Sequence, residues 1–124
     1  MDERIQRALA SDRTIDITTT GRRSGEPRRI EIWSYRYARR IFLSGSPGKR
    51  DWYSNLLAHP EFTLHLKGSV HADLSARARP ITDEADRREV IAGILEDLGR
   101  AYGGVEEWVA RSPLVEVEVI GPSG

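Results

Sequence analysis

The chain has 124 residues, 39% hydrophobic and 31% charged, with 19 basic and 19 acidic side chains and no cysteine. That length suits one domain, residues 1–124, with a real core, and the composition excludes a disulfide framework, a thiolate nucleophile and a Cys-type zinc site. No apolar run is long enough to span a bilayer, and the charged start "MDERIQRALASDR" lacks a secretory apolar block, so cytoplasm is the expected location.

The opening dozen residues predict a short helix, with Ile5, Ala8 and Leu9 on one face and Ser11-Asp12 at its end. "RTIDITTT" then alternates as a strand, with Ile15, Ile17 and Thr19 on one side. "GRRSGEP" is a turn, glycine at each end and proline at its exit. "RRIEIWSYRY" and "RIFLSGS" give two further strands, and "DWYSNLLAHP" changes to helical spacing. "EFTLHLKG" and "SVHADLSARARPI" alternate again around a turn at Lys67-Gly68-Ser69. "TDEADRREVIAGILEDLGRAYG" is the clearest helix, with a stripe of Val90, Ile91, Ile94, Leu95 and Leu98 and negative charge at its start. "VEEWVARS" adds a short helical turn before the strand "PLVEVEVIG". About six mostly antiparallel strands in so short a chain predict an α+β fold, a β-barrel flanked by short helices.

The neutral total hides an asymmetry. Residues 21–50 hold nine basic and two acidic side chains, and the rest of the chain is acidic in compensation. Such a segment points to a local anionic ligand rather than to a nucleic-acid coat. Arg22, Arg23, Arg28 and Arg29 crowd the first hairpin, where guanidinium groups suit phosphate and carboxylate. "SGSPGKRDW" ends a strand in small residues and enters a helix N-terminus, where free N–H groups favour an anion. Trp33, Tyr35 and Trp52 add flat aromatic surface, so the set could hold a flat ring with an anionic tail. The competing reading is a solvated hairpin and an aromatic core.

Familiar catalytic sets are missing: no Gly-x-Ser-x-Gly, no Walker loop and no Gly-x-Gly-x-x-Gly. His65 and His71 could face each other across their hairpin, but no acidic residue stands out to complete a metal set.

"TTTGRRSGEPRR" followed by "DWYSNLLAHPEF", with a "W-x-x-R" before the last strand, resembles the deazaflavin-dependent nitroreductase family from about Ile15 to Ile120. The resemblance implies a split β-barrel, like that of pyridoxamine-phosphate-oxidase-like flavin proteins, and coenzyme F420, with FMN as the alternative. It implies that Arg22, Arg23 and Arg28 meet the phosphate or tail carboxylates. Ser44, Gly45, Ser46 and Gly48 would approach ring and linker through backbone groups. Trp52 and Asn55 would shape the site, and Lys49 or Arg50 would supply the loop cation. The implied reaction is hydride transfer to a small-molecule acceptor such as a quinone or nitroaromatic, with Trp33 lining the acceptor pocket and Tyr102 beside it as wall or proton donor. A non-catalytic carrier of a deazaflavin or an acidic lipid is the reading from another class. The resemblance also allows a homodimer.

Overall fold

Ile15, Ile17 and Thr19 alternate with polar residues along β1 (Thr14–Thr20), and all three are buried. The computed structural model describes residues 1–99 and 105–123. Five further strands follow, β2 (Pro27–Tyr37), β3 (Arg40–Ser44), β4 (Glu61–Lys67), β5 (His71–Pro80) and β6 (Leu114–Pro122). Neighbouring strands are antiparallel, and the order β1-β2-β3-β6-β5-β4 closes because β1 also pairs with β4. The expected α+β barrel is the observed one.

The closure is incomplete along β2. Its residues Pro27–Trp33 pair with β1, whereas β3 pairs only with Ser34–Tyr37. Ile30 and Ile32 stand opposite Ile17 and Ile15 and therefore share their inward face, since residues directly opposite in a ladder point the same way. Ile17 is fully buried, yet Ile30 is 36% exposed. The barrel is split along this half of β2.

The helices described are α1 (Glu3–Ser11), α2 (Asp51–Ala58), α3 (Glu84–Asp97) and α4 (Val105–Arg111). Two apolar clusters follow from their placement. The first fills the barrel, with Ala8 and Leu9 of α1 entering at one end and Trp52 and Leu56 of α2 at the other. The second lies under α3 and α4 on the outer face of β2 and β3, where Val90, Ile91 and Ile94 meet Tyr35 and Phe42. Each such fully buried aliphatic side chain stabilises the fold by roughly 1.5–3 kcal/mol. Asp83 caps α3 by accepting from the Asp86 N–H at 3.0 Å.

Gly93 sets the approach of α3 to the barrel. A Cβ there would lie 2.2 Å from the Tyr37 ring, so only glycine lets the helix come this close. The histidine expectation is corrected by register. The loop between β4 and β5 pairs His71 with Lys67 and His65 with Asp73. His65 accordingly shares hydrogen bonds with Asp73 Oδ1 and Thr18 Oγ1, each 2.7 Å, and the two histidines do not face each other. Among the described residues, no helix is long and apolar enough to cross a membrane.

Candidate active site

The first arginine turn is fastened to α2 by one buried amide. Asn55, 5% exposed, accepts from the Arg22 backbone N–H at 3.0 Å and donates through Nδ2 to Thr19 Oγ1 at 3.1 Å. The Arg22 guanidinium adds a longer bond to the same amide oxygen and an ion pair with Asp51 at 3.5 Å. Asn55 thus joins the two segments that the sequence set apart, and it acts by positioning Arg22. Arg23 and Arg28 flank a cleft of about 320 Å³ with Arg22 and Asn55, and neither guanidinium has a hydrogen-bonding or ion-pair partner among the described residues. Arg29 is turned the other way. It pairs with Asp16 on the outer face at 3.0 Å, and Lys67 with Arg29 holds that carboxyl below its usual range.

The loop after β3 is held from inside. Ser44 is buried, and its hydroxyl donates to the Pro113 carbonyl at 2.7 Å. Arg50 donates to the Ser46 and Lys49 carbonyls, both at 3.0 Å, and lies against Gly45. Gly48 has φ +132°, a backbone region that only glycine adopts easily, and its N–H donates to the Arg111 carbonyl at 3.2 Å. Ser46 is exposed beside it. Arg50 therefore serves the loop, whereas Lys49 is exposed and its ammonium has no partner among the described residues.

Beside this loop lies a larger cleft of about 730 Å³. Among the described residues, five cationic side chains line it (Arg22, Lys49, Arg50, Arg87 and Arg111) and no Asp or Glu does. Its apolar part is Tyr53, Leu57, Ile81 and Pro113. Arg22 lines both clefts, which are therefore neighbours across one guanidinium. The N-terminus of α2 borders the larger one, and its N-cap Arg50 makes no side-chain cap, leaving first-turn N–H groups without that partner. Trp52 is a core residue at 8% exposure, packed edge-to-face on Tyr53 with centroids 6.0 Å apart, so Tyr53 is the ring on the cleft.

Sequence reasoning missed the far wall. Arg87 donates to the carbonyls of Val109 (2.7 Å), Ile81 (2.8 Å), Ser112 (2.6 Å) and, more weakly, Trp108 (3.5 Å). Burial lowers the affinity of this guanidinium for its proton, but arginine stays charged at neutral pH. One side chain thereby staples the start of α3 to the end of α4. Beside it the Ser112 hydroxyl is buried with no hydrogen-bond partner among the described residues. An acid-free cationic lining with an unsatisfied hydroxyl fits a ligand carrying phosphate or carboxylate groups, and the volume is ordinary for a cofactor site. The signal for Arg111 was available in "WVAR", since it closes the W-x-x-R pattern. Arg87 gave none, being one arginine among many on a helix.

One expected residue is not brought to these clefts. Trp33 stands opposite Thr14, six ladder steps from the Thr20–Pro27 pair at the turn, or about 20 Å along the strand. It is 50% exposed, and Arg13 lies 5.8 Å from its ring. Tyr102 lies outside the described residues.

A model of the F420H2-dependent quinone reductase family matches residues 2–120. The chain belongs to this family. It is therefore an oxidoreductase of an F420-dependent group. Among solved structures, an F420-H2 dependent reductase superposes with a TM-score of 0.63 at 22% identity, over 86% of this chain and 95% of that one. A conserved hypothetical protein of Mycobacterium tuberculosis gives 0.74 at 19% identity, over 97% and 81%. A Clostridium acetobutylicum protein of the pyridoxinephosphate oxidase family gives 0.66 at 13% identity, over 96% and 86%. At these identities the structures speak for the fold alone, and that fold is the split barrel.

Proposed function

We propose that this quinone reductase family member acts as a single domain that binds F420H2 across the two neighbouring clefts and reduces a quinone, with nitroaromatics as further acceptors. The acid-free cationic lining of the larger cleft carries the reading. A bound reduced deazaflavin would supply a hydride to the acceptor.

The residues of this chain bind and orient. Arg22, Arg23 and Arg28 take the phosphate or tail carboxylates, and guanidinium pairs with such groups are among the stronger hydrogen bonds. Lys49 and Arg111 extend the cationic track along the larger cleft, and Ser112 offers a hydroxyl already stripped of water. The backbone of Gly45, Ser46 and Gly48 admits close approach, while Tyr53, Leu57 and Ile81 give an apolar surface from which a flat ring displaces water. Asn55 fixes Arg22, and Arg87 fixes the wall that carries Arg111 and Ser112. The acceptor side is assigned to Tyr102, since Trp33 of the same chain stands about 20 Å along β2 from the arginine turn. Rate then comes from alignment of two rings and exclusion of water.

The test is consumption of F420H2 at its own absorbance maximum with a soluble quinone as acceptor. Turnover that saturates in both reactants supports the reading. F420 binding without turnover across a quinone and nitroaromatic panel would favour a carrier, and tight FMN binding in place of F420 would change the cofactor.

A further inference from the structure

The split edge of β2 is built to pair with itself. Hydrogen bonds fix which backbone groups are free. Gly21 N donates to Glu26 O at 2.8 Å and Ser34 N to Arg13 O at 2.7 Å, so these two pairs exchange bonds across the hairpin. Because hydrogen-bonded pairs alternate with non-bonded ones, Arg28, Ile30 and Ile32 also bond to β1. Arg29, Glu31 and Trp33 therefore direct N–H and C=O away from β1, as Pro27 does its C=O. The β3 ladder stops at the Ser34–Leu43 pair, a non-bonded pair flanked by a bond to the Trp33 carbonyl, and among the described residues no strand pairs with Pro27–Glu31 on that side. All but Ile32 in Pro27–Trp33 are exposed. An edge of this length with an uncovered Ile30 invites a further strand.

We propose that a second copy of this chain supplies that strand, β2 against β2, antiparallel about a two-fold axis through Ile30. Charge selects both occupant and register. Centred on Ile30, each Arg29 faces the partner's Glu31, and Ile30 meets the partner's Ile30. Centred on Arg29 or on Glu31, like charges would oppose at the axis, which costs stability. In the Ile30 register, Arg29 and the partner's Glu31 exchange N–H···O bonds in both directions, and Trp33 donates to the partner's Pro27 carbonyl. Every outward N–H of the segment is used, and proline stands where an N–H would otherwise face the partner's strand end. Both charges have exposed capacity to spare, the Arg29 side chain at 55% and Glu31 at 62%, although each already has one partner within its own chain. The contact is isologous, as a two-fold interface must be.

This arrangement also relocates Trp33. About 20 Å from its own arginine turn, it stands opposite Pro27 of the other copy, at the exit of the other copy's turn. Each site would thus take a ring from its neighbour, an extension that rests on the proposed function, whereas the dimer does not.

The chain has no cysteine, so single thiols report register cleanly. Across the axis the two residue-30 Cα atoms lie about 4.5 Å apart, as in a non-bonded antiparallel pair, which is within disulfide reach. Residue 32 is about 13 Å from its own copy. Oxidised Ile30→Cys is expected to run as a covalent dimer of the 14.0 kDa chain, and Ile32→Cys as a monomer. Sedimentation of the unmodified protein is expected to give a dimer, and Glu31→Pro, which removes an outward N–H and spares the β1 ladder, to weaken it at least tenfold. Lys67→Ala removes the Glu31 ion pair and leaves the edge intact, so it should remain dimeric. A monomer up to millimolar concentration overturns the proposal, and so does a dimer in which Ile32→Cys cross-links and Ile30→Cys does not. All of these readings are made without cofactor, so they stand apart from any failure of F420 to bind.

Discussion

Asn55→Ala is the most informative single change, because one buried amide holds the arginine turn to α2. The substitution strands the Thr19 hydroxyl, which is 2% exposed, and frees the Arg22 N–H. A buried polar group left without its partner costs about 1–3 kcal/mol, whereas the part-exposed Arg22 N–H regains water and costs less, so the loss is about 2 kcal/mol. For a chain of 124 residues, a melting shift of about 4 °C per kcal/mol gives ~8 °C. Affinity should fall as well, since Arg22 lines both clefts and loses its anchor. Asn55→Asp keeps an acceptor for Arg22 and lets the Thr19 hydroxyl donate, so it should recover part of the melting temperature, whereas its negative charge beside Arg22 should keep the affinity for an anionic ligand low. Thermal melts and fluorescence titrations with F420 read the two effects separately. An alanine variant that melts within 2 °C of the parent and binds F420 equally well would refute the reasoning.

Three further outcomes follow from the geometry. Gly93→Ala should destabilise by about 1–3 kcal/mol through overpacking against Tyr37, and adding Tyr37→Ala should recover part of the loss in urea titrations. Ala38 and Arg39 form the β2–β3 turn at φ 51° and 63°, so Ala38→Asn with Arg39→Gly should raise stability by about 1 kcal/mol. Glu116 is held below its ordinary pKa by Arg40, with bonds of 2.9 Å to both carboxylate oxygens, and by Arg79. A lowered carboxyl stabilises above its unfolded pKa, and that contribution is lost as pH falls through the folded one. Urea midpoints of Glu116→Gln should therefore decline less than those of the parent between pH 5 and 3.

How far the sequence could be read depended on how local each signal was. The strands of β1 and the stripe of α3 were legible because alternation and helical spacing are written in neighbouring residues. The arginine turn was legible for the same reason. Its attachment was not, since Arg22 and Asn55 are 33 positions apart and only the fold brings them together. Arg87 escaped because four backbone carbonyls, which no sequence displays, define its role. The histidine pairing failed on loop length alone. Three residues between β4 and β5 set His65 against Asp73. The split of β2 was equally hidden, because its inward isoleucines look like core residues until β3 stops short of them.

The central claim is that the acid-free cationic cleft holds F420, and a fluorescence titration of F420 into the parent and into Arg22→Ala/Arg23→Ala tests it most directly. The account requires binding at micromolar or lower concentration, weakened at least tenfold in the double variant while its circular dichroism and melting stay those of a folded protein. No binding at micromolar concentration, or equal affinity in the two proteins, would contradict it.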